Sequence, residues 1–181
     1  VEEEMHGRQL TQPRRAGVHC LECPSSRNAD VRFSAAPAVA SSYVEAMIEG
    51  FRFLPEYFST AAQKALVTEV LSLLEEGPLY RASMPRTGKP MSVRNANLGP
   101  LGWVSDITGY RYQPTHPETG KPWPAIPQAL LDLWDDVSQY QAPPQACLVN
   151  WYEAPSRLGL HIDADESAKD APVVSVSLGS R

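Results

Sequence analysis

Two stretches decide how this chain is read: ACLVNWYEAPSRLGLHIDADE, residues 146–166, and APVVSVSLG, residues 171–179. In the first, Cys147, Val149 and Trp151 alternate with Leu148, Asn150 and Tyr152. That is the period of a strand, so the two sets leave on opposite faces. Asn150 and Tyr152 therefore project together, and an amide beside a phenol can donate hydrogen bonds to a small anionic ligand. His161 and Asp163 follow, two residues apart. In an extended segment their side chains leave on one side, so an imidazole nitrogen and a carboxylate oxygen can reach one metal ion. Those are two corners of a two-histidine, one-carboxylate site of the kind that holds non-haem Fe(II). The same pair also suits an ordinary surface turn, and His-x-Asp taken alone does not choose between them. In the second stretch Val174, Val176 and Leu178 alternate with Ser175 and Ser177. A strand, a turn with metal-type residues and another strand predict an antiparallel barrel or jelly roll with its site in the mouth.

Upstream, the spacing predicts two helices. Ser59 can cap a helix that runs to about Glu76, with Gly77 as its stop. Its apolar stripe is Leu66, Val70, Leu73 and Leu74. A second helix follows Pro127 and ends before Pro143, with Ile126, Leu130, Leu133, Trp134 and Val137 on one face. Between the helices lie Arg81, Arg86, Lys89 and Arg94, with no acidic residue from 81 to 94. This is either a solvated loop or a phosphate-contacting surface. Trp103, Tyr110 and Tyr112 come next, and the two tyrosines share a face in a strand. They form either a buried aromatic cluster or a platform on which an extruded base stacks. His116, in the proline-punctuated connection 113–127, reads as a surface loop histidine rather than a ligand.

The chain has 181 residues, 43% apolar and 20% charged, which suits one soluble globular domain. No run of about eighteen apolar residues exists to span a bilayer. The net charge of -5 argues against a bulk, sequence-blind nucleic-acid binder, while a local basic patch stays open. Three cysteines imply no disulfide framework, and a cytoplasmic location is expected. The 17 prolines favour strands and long connections over a helical bundle. Residues 1–46 show neither helical nor strand period and read as a disordered leader, with Met47 a candidate true start. Cys20 and Cys23 form a Cys-x-x-Cys, but a structural zinc needs four ligands and the third cysteine, Cys147, is far away.

Several blocks together make the sequence recognisable. They are Lys89-Pro-Met-Ser-Val93, Leu101-Gly-Trp103, Gly109-Tyr-Arg-Tyr112, Lys121-Pro-Trp-Pro124, Ala146–Asn150 with Tyr152, Leu158–Glu166 and Ala171–Gly179. In order and spacing, residues 48 to 179 resemble the AlkB family of Fe(II)- and 2-oxoglutarate-dependent dioxygenases, the bacterial branch most of all. The resemblance implies an α+β, mainly β architecture: a double-stranded β-helix, or jelly roll, preceded by helices and a nucleotide-recognition lid. It implies that His161 and Asp163 bind Fe(II) and that Asn150 and Tyr152 hold 2-oxoglutarate. Trp103, Tyr110, Arg111 and Tyr112 match positions that contact the damaged base and its strand, and Asp165 matches an acidic residue beside the base. The activity implied is oxidative demethylation of alkylated DNA, of the 1-methyladenine or 3-methylcytosine type. Dioxygen is the second cosubstrate, and a methyl group leaves as formaldehyde. A monomer with no membrane partner is expected. A lesion that cannot pair normally costs less to extrude, which adds selectivity.

The sequence departs from that pattern twice. No histidine follows His161, and the family's second iron-binding histidine and its two arginines have no counterpart. Residues 47–181 are therefore expected to be an incomplete AlkB-like domain, a jelly roll without its last strands, with little or no activity as a fragment. Second, Asn95-Ala-Asn97 stands where bacterial members commonly show Met-Thr-Asn, which places an amide where an apolar contact is usual. The same chemistry on RNA or tRNA, and an inactive nucleic-acid-binding remnant, are the alternatives.

Overall fold

The computed structural model describes residues 15–22, 51–154, 156, 168 and 170–178. Their elements run β1 (Arg15–Glu22), α1 (Thr60–Glu76), β2 (Arg94–Leu98), β3 (Gly102–Asp106), β4 (Gly109–Gln113), α2 (Gln128–Val137) and β5 (Ala146–Tyr152).

Helix α1 starts and stops where its sequence signals lie. Ser59 Oγ accepts from Ala62 N at 3.2 Å, satisfying one of the unpaired donors of the first turn. Gly77 caps the other end, its N–H donating to Leu73 O at 2.9 Å. Leu66 and Val70 are buried, with Leu73 and Leu74 packed beside them. Helix α2 follows Pro127 and buries Leu130, Leu133 and Trp134. The indole of Trp134 donates to Ala142 O at 3.1 Å, so the buried ring keeps its polar atom paired.

Three strands form a sheet ordered β1-β5-β2, and both helices pack against one face of β2 and β5. β2 runs antiparallel to β5, with Asn95 opposite Asn150 and Leu98 opposite Cys147. Ala96, Leu98, Cys147 and Val149 point into the helical core, as the alternation of β5 requires. Burying each larger side chain there contributes about 1.5–3 kcal/mol. Asn95, Asn97 and Asn150 occupy the opposite face and are buried as well. Beyond β5, Val174, Val176 and Leu178 join the same core while Ser175 and Ser177 are exposed. The expected alternation is therefore kept at residues 173–178, although this segment is not one of the ladder strands.

One part of the expected leader is ordered. Arg15–Glu22 pairs parallel to β5 along its whole length, with a register shift between His19 and Leu21 where Cys20 lies. An edge of β5 offers a row of backbone donors and acceptors, and pairing needs no side-chain period, so the missing alternation in 15–22 did not report it. Cys23 and the rest of 1–46 lie outside the described residues.

β3 and β4 make a separate two-stranded hairpin, with Trp103 opposite Tyr112 and Ser105 opposite Tyr110. A lone hairpin is marginal in water and needs anchoring. It is tethered by Tyr80 Oη donating to Trp103 O at 2.7 Å, by Ser83 N donating to Ser105 O at 2.9 Å, and by Trp123 Nε1 donating to Gln113 O at 2.9 Å. A second apolar cluster of Tyr80, Ala82, Val104 and Trp123, with Met91 and Trp103 against it, lies beneath the hairpin.

Candidate functional site

The polar face of β2 and β5 joins the two regions that the sequence singled out. Asn95 Nδ2 donates to Asn150 Oδ1 at 2.7 Å, both residues being 3% exposed. This bond engages the oxygen of Asn150, and an amide meets an anion through its nitrogen. Tyr152, half-buried, leaves the same face two residues on. Asn95 Oδ1 is buried without a partner, an unmet acceptor at the floor of this face. An amide and a phenol on one strand face suit the carboxylate of a small 2-oxo acid, so the donor set fits that cosubstrate. His161, Asp163 and Asp165 lie outside the described residues. Among the described residues no group of three His, Cys, Asp or Glu side chains converges as a metal site.

One pleat along β2, Asn97 holds the aromatic residues. Its Oδ1 accepts from Trp103 N at 2.9 Å and its Nδ2 donates to Trp103 O at 2.9 Å. The side chain thus substitutes for a neighbouring strand and fixes the backbone of Trp103. Tyr80 adds its bond to the same carbonyl. Burial pushes the Tyr80 phenol well above its ordinary range, with the amide of Asn97 opposing, so the hydroxyl keeps the proton it donates. Tyr110 stacks on Trp103, with ring centroids 5.7 Å apart and planes at 22°, and is 46% exposed. Trp103 and Tyr112 are half-buried. A partly exposed, fixed aromatic pair is a surface on which a flat ring can stack.

Arg111 is on this hairpin, but its guanidinium is turned to its own turn. Nη2 donates to Asp106 Oδ2 at 2.7 Å, Nη1 to Thr108 Oγ1 at 3.0 Å and Nε to Gln113 Oε1 at 3.0 Å. The Arg111 guanidinium, with help from Thr108, holds the Asp106 carboxyl well below the usual carboxylate range. The basic loop also divides. Arg81 Nη1 donates to Met91 O and Ser92 O, both at 3.1 Å. Arg94 Nη2 pairs with Glu153 Oε1 at 2.6 Å, and Arg81 Nη2 stands 4.0 Å from Glu153 Oε2. Arg86 and Lys89 are exposed on a tight turn closed by Gly88 N donating to Met84 O at 2.8 Å, and no ion pair engages them among the described residues.

His116 corrects an expectation. It is 1% exposed rather than on the surface. Its Nδ1 accepts from Glu118 N at 3.1 Å and Thr119 N at 3.2 Å, so Nε2 carries the proton and donates to Pro78 O at 2.8 Å. The ring packs against Tyr80 and Trp123, and its role is structural. Tyr80 and Asp106 were not recognised from sequence as parts of the site, and Asn95 and Asn97 were read only as a departure from the family pattern, not as bonded to Asn150 and Trp103. Two asparagines flanking alanine in an otherwise apolar strand were the available signal, since buried amides need partners.

Comparison with known proteins accords with this geometry. Residues 50–181 match the 2OG-Fe(II) oxygenase superfamily. The chain is 49% identical over 135 residues to an alpha-ketoglutarate-dependent dioxygenase AlkB homolog of Caulobacter vibrioides, covering 74% of this chain and 60% of that protein. It is 36% identical over 146 residues to the alpha-ketoglutarate-dependent dioxygenase AlkB of Escherichia coli, covering 78% and 67%. It is 30% identical over 154 residues to an Arabidopsis thaliana protein named as a DNA N(6)-methyladenine demethylase, covering 72% and 33%. The chain therefore spans about three-fifths of the length of the Caulobacter relative. With the match running from residue 50 through both decisive stretches, the chain belongs to the 2OG-Fe(II) oxygenase superfamily and, within it, to the AlkB family.

Proposed function

We propose that this protein removes methyl groups oxidatively from alkylated bases in DNA, consuming 2-oxoglutarate and dioxygen at an Fe(II) site. The observation that carries the proposal is the polar face of β2 and β5, which runs from Asn150 through Asn95 and Asn97 to the Trp103–Tyr110 stack. In this reading a run of buried amides links the donor pair for a 2-oxo acid to the platform for a flat base. We place β2 and β5 in a jelly roll, with His161 and Asp163 contributing nitrogen and oxygen ligands to the metal.

Iron with 2-oxoglutarate and dioxygen supplies the oxidising power to hydroxylate an N-methyl group. The hydroxymethyl product then loses formaldehyde and a proton, and the ring nitrogen regains its lone pair. The chain's own residues bind and orient. Asn150 and Tyr152 hold the 2-oxo acid by hydrogen bonds. Trp103 and Tyr110 hold the extruded base by stacking, which contributes about 1–3 kcal/mol per base. Arg86 and Lys89 contact phosphates, since among the described residues no ion pair engages them, whereas Arg81 and Arg94 bond within the fold. Such positioning keeps the reacting methyl in line and excludes water.

The test is formaldehyde and succinate release by the native protein from a single-stranded oligonucleotide carrying 1-methyladenine. Equal yields of the two products, dependent on Fe(II) and 2-oxoglutarate, are expected. Oligonucleotide binding without either product would favour a binding module. Faster turnover of the matching RNA would move the substrate from DNA to RNA.

A further inference from the structure

We propose that Arg111 is a positioning residue, which locks the β3–β4 turn so that Tyr110 lies against Trp103, and that it does not contact the phosphates of a bound strand. The inference rests on the nucleic-acid function proposed above.

The first reason is that the guanidinium is already engaged on all three of its nitrogens. Nη2 bonds Asp106, Nη1 bonds Thr108 and Nε bonds Gln113. Asp106 Oδ1 in turn accepts from Thr108 N at 2.8 Å and from Thr108 Oγ1 at 2.5 Å. The result is a closed ring of bonds across the turn Ile107–Thr108, with Arg111 as its bridge. To reach a phosphate, Arg111 would give up a charge-assisted bond, and Asp106 would keep its Thr108 bonds but lose its counter-charge beside the incoming anion. The exchange gains little and adds a like-charge contact.

The second reason is where the turn is held. The tethers to the rest of the protein enter β3 at Trp103 and Ser105 and β4 at Gln113, the end of that strand far from the turn. Tyr110 sits on β4 opposite Ser105, nearer the turn than Gln113, next to Arg111 and diagonal to Trp103 across the two strands. Holding an aromatic ring that is 46% exposed in one stacked position costs conformational entropy. A rigid turn lowers that cost for the bound state, because the platform is arranged before the base arrives. Ile107, 69% exposed, is carried at the same tip and is fixed by the same lock.

A phosphate contact and a positioning role differ in salt dependence and in tolerance of exchange. The experiment measures affinity of the full chain for a single-stranded DNA oligonucleotide carrying 1-methyladenine, across a series of salt concentrations. It compares the parent protein with Arg111→Gln, Asp106→Asn, and the exchanged pair Asp106→Arg with Arg111→Asp. The apo proteins are compared through the indole resonance of Trp103. If Arg111 positions Tyr110, Arg111→Gln and Asp106→Asn each weaken binding about three- to tenfold while the salt slope is unchanged. Both shift the Trp103 resonance, and the exchanged pair restores affinity and resonance. A phosphate role lowers the slope by about one in Arg111→Gln, strengthens binding in Asp106→Asn, and gives no recovery on exchange. That pattern would overturn the inference. Should the parent protein bind no oligonucleotide, the proposed function fails instead. The Trp103 resonance then decides the lock by itself: unmoved in Arg111→Gln, it refutes the positioning role.

Discussion

Gly102→Ala should be the most damaging single-methyl change in the site. Gly102 opens β3 next to Trp103 and has an ordinary backbone conformation, so the constraint on it is space. An alanine Cβ would lie 2.5 Å from Trp123 Nε1 and 2.6 Å from Asn97 Cβ, where ordinary contact is 3.4–4 Å. Neither neighbour yields cheaply. Trp123 is packed between Tyr80 and His116 and donates to Gln113 O. Asn97 is bonded to both backbone polar atoms of Trp103. Overpacking a tight interior costs about 1–3 kcal/mol, and two immobile neighbours place this case at the upper end. Alanine returns about 0.4–1 kcal/mol by restricting the unfolded chain. The net is a loss of about 2 kcal/mol, or a fall in Tm of about 4–8 °C for a chain of this size. Urea unfolding followed by tryptophan fluorescence measures it. Adding Trp123→Phe to the alanine variant should recover part of the loss, because the two sites share one contact. A cost under about 0.5 kcal/mol, or strict additivity of the two substitutions, would refute the close-approach argument.

Three further outcomes follow from the same contacts. His116→Ala should cost about 2–4 kcal/mol, since it opens a cavity between Tyr80 and Trp123 and leaves Pro78 O without its donor; denaturant titration checks this. Asn95→Asp sets a carboxylate oxygen against Asn150 Oδ1 in a buried pair and should destabilise by about 2–4 kcal/mol at neutral pH. Burial raises the folded-state pKa of the new carboxyl, so its penalty should shrink as pH falls towards 5, and unfolding at the two pH values reads the difference. Asp106 behaves oppositely: its folded pKa is depressed by Arg111, so its contribution is present above the ordinary carboxylate pKa and is lost as pH falls through the acid range. Titrating the Trp103 indole resonance below pH 4 should show the hairpin loosening in the parent protein and a flat response in Asp106→Asn.

Helix α1, helix α2 and β5 were legible because each depends on signals within a few residues of itself. Ser59 and Gly77 mark the ends of α1, and the stripes Leu66–Val70 and Leu130–Trp134 mark the buried faces. The alternation of 147–152 likewise says which side chains share a face before any partner is known. The ordered blocks from Lys89 to Gly179 were sufficient for the family, since they require no coordinates.

Pairing between distant side chains was not legible. Asn95 and Asn150 are 55 residues apart, His116 and Pro78 are 38 apart, and Arg94 and Glu153 are 59 apart. Each partnership depends on strand register and on how the loops cross, which no local pattern encodes. For that reason His116 looked like a surface residue, and the four cations of the basic loop looked alike. Arg111 could not be distinguished from a phosphate ligand, although its partner Asp106 is five residues away, because their meeting requires the β3–β4 turn to close. Residue types and their periods determined the elements and the chemistry available to this protein. The tertiary structure decided which of those groups are consumed in holding it together, because a buried polar atom must find its partner wherever the fold brings one.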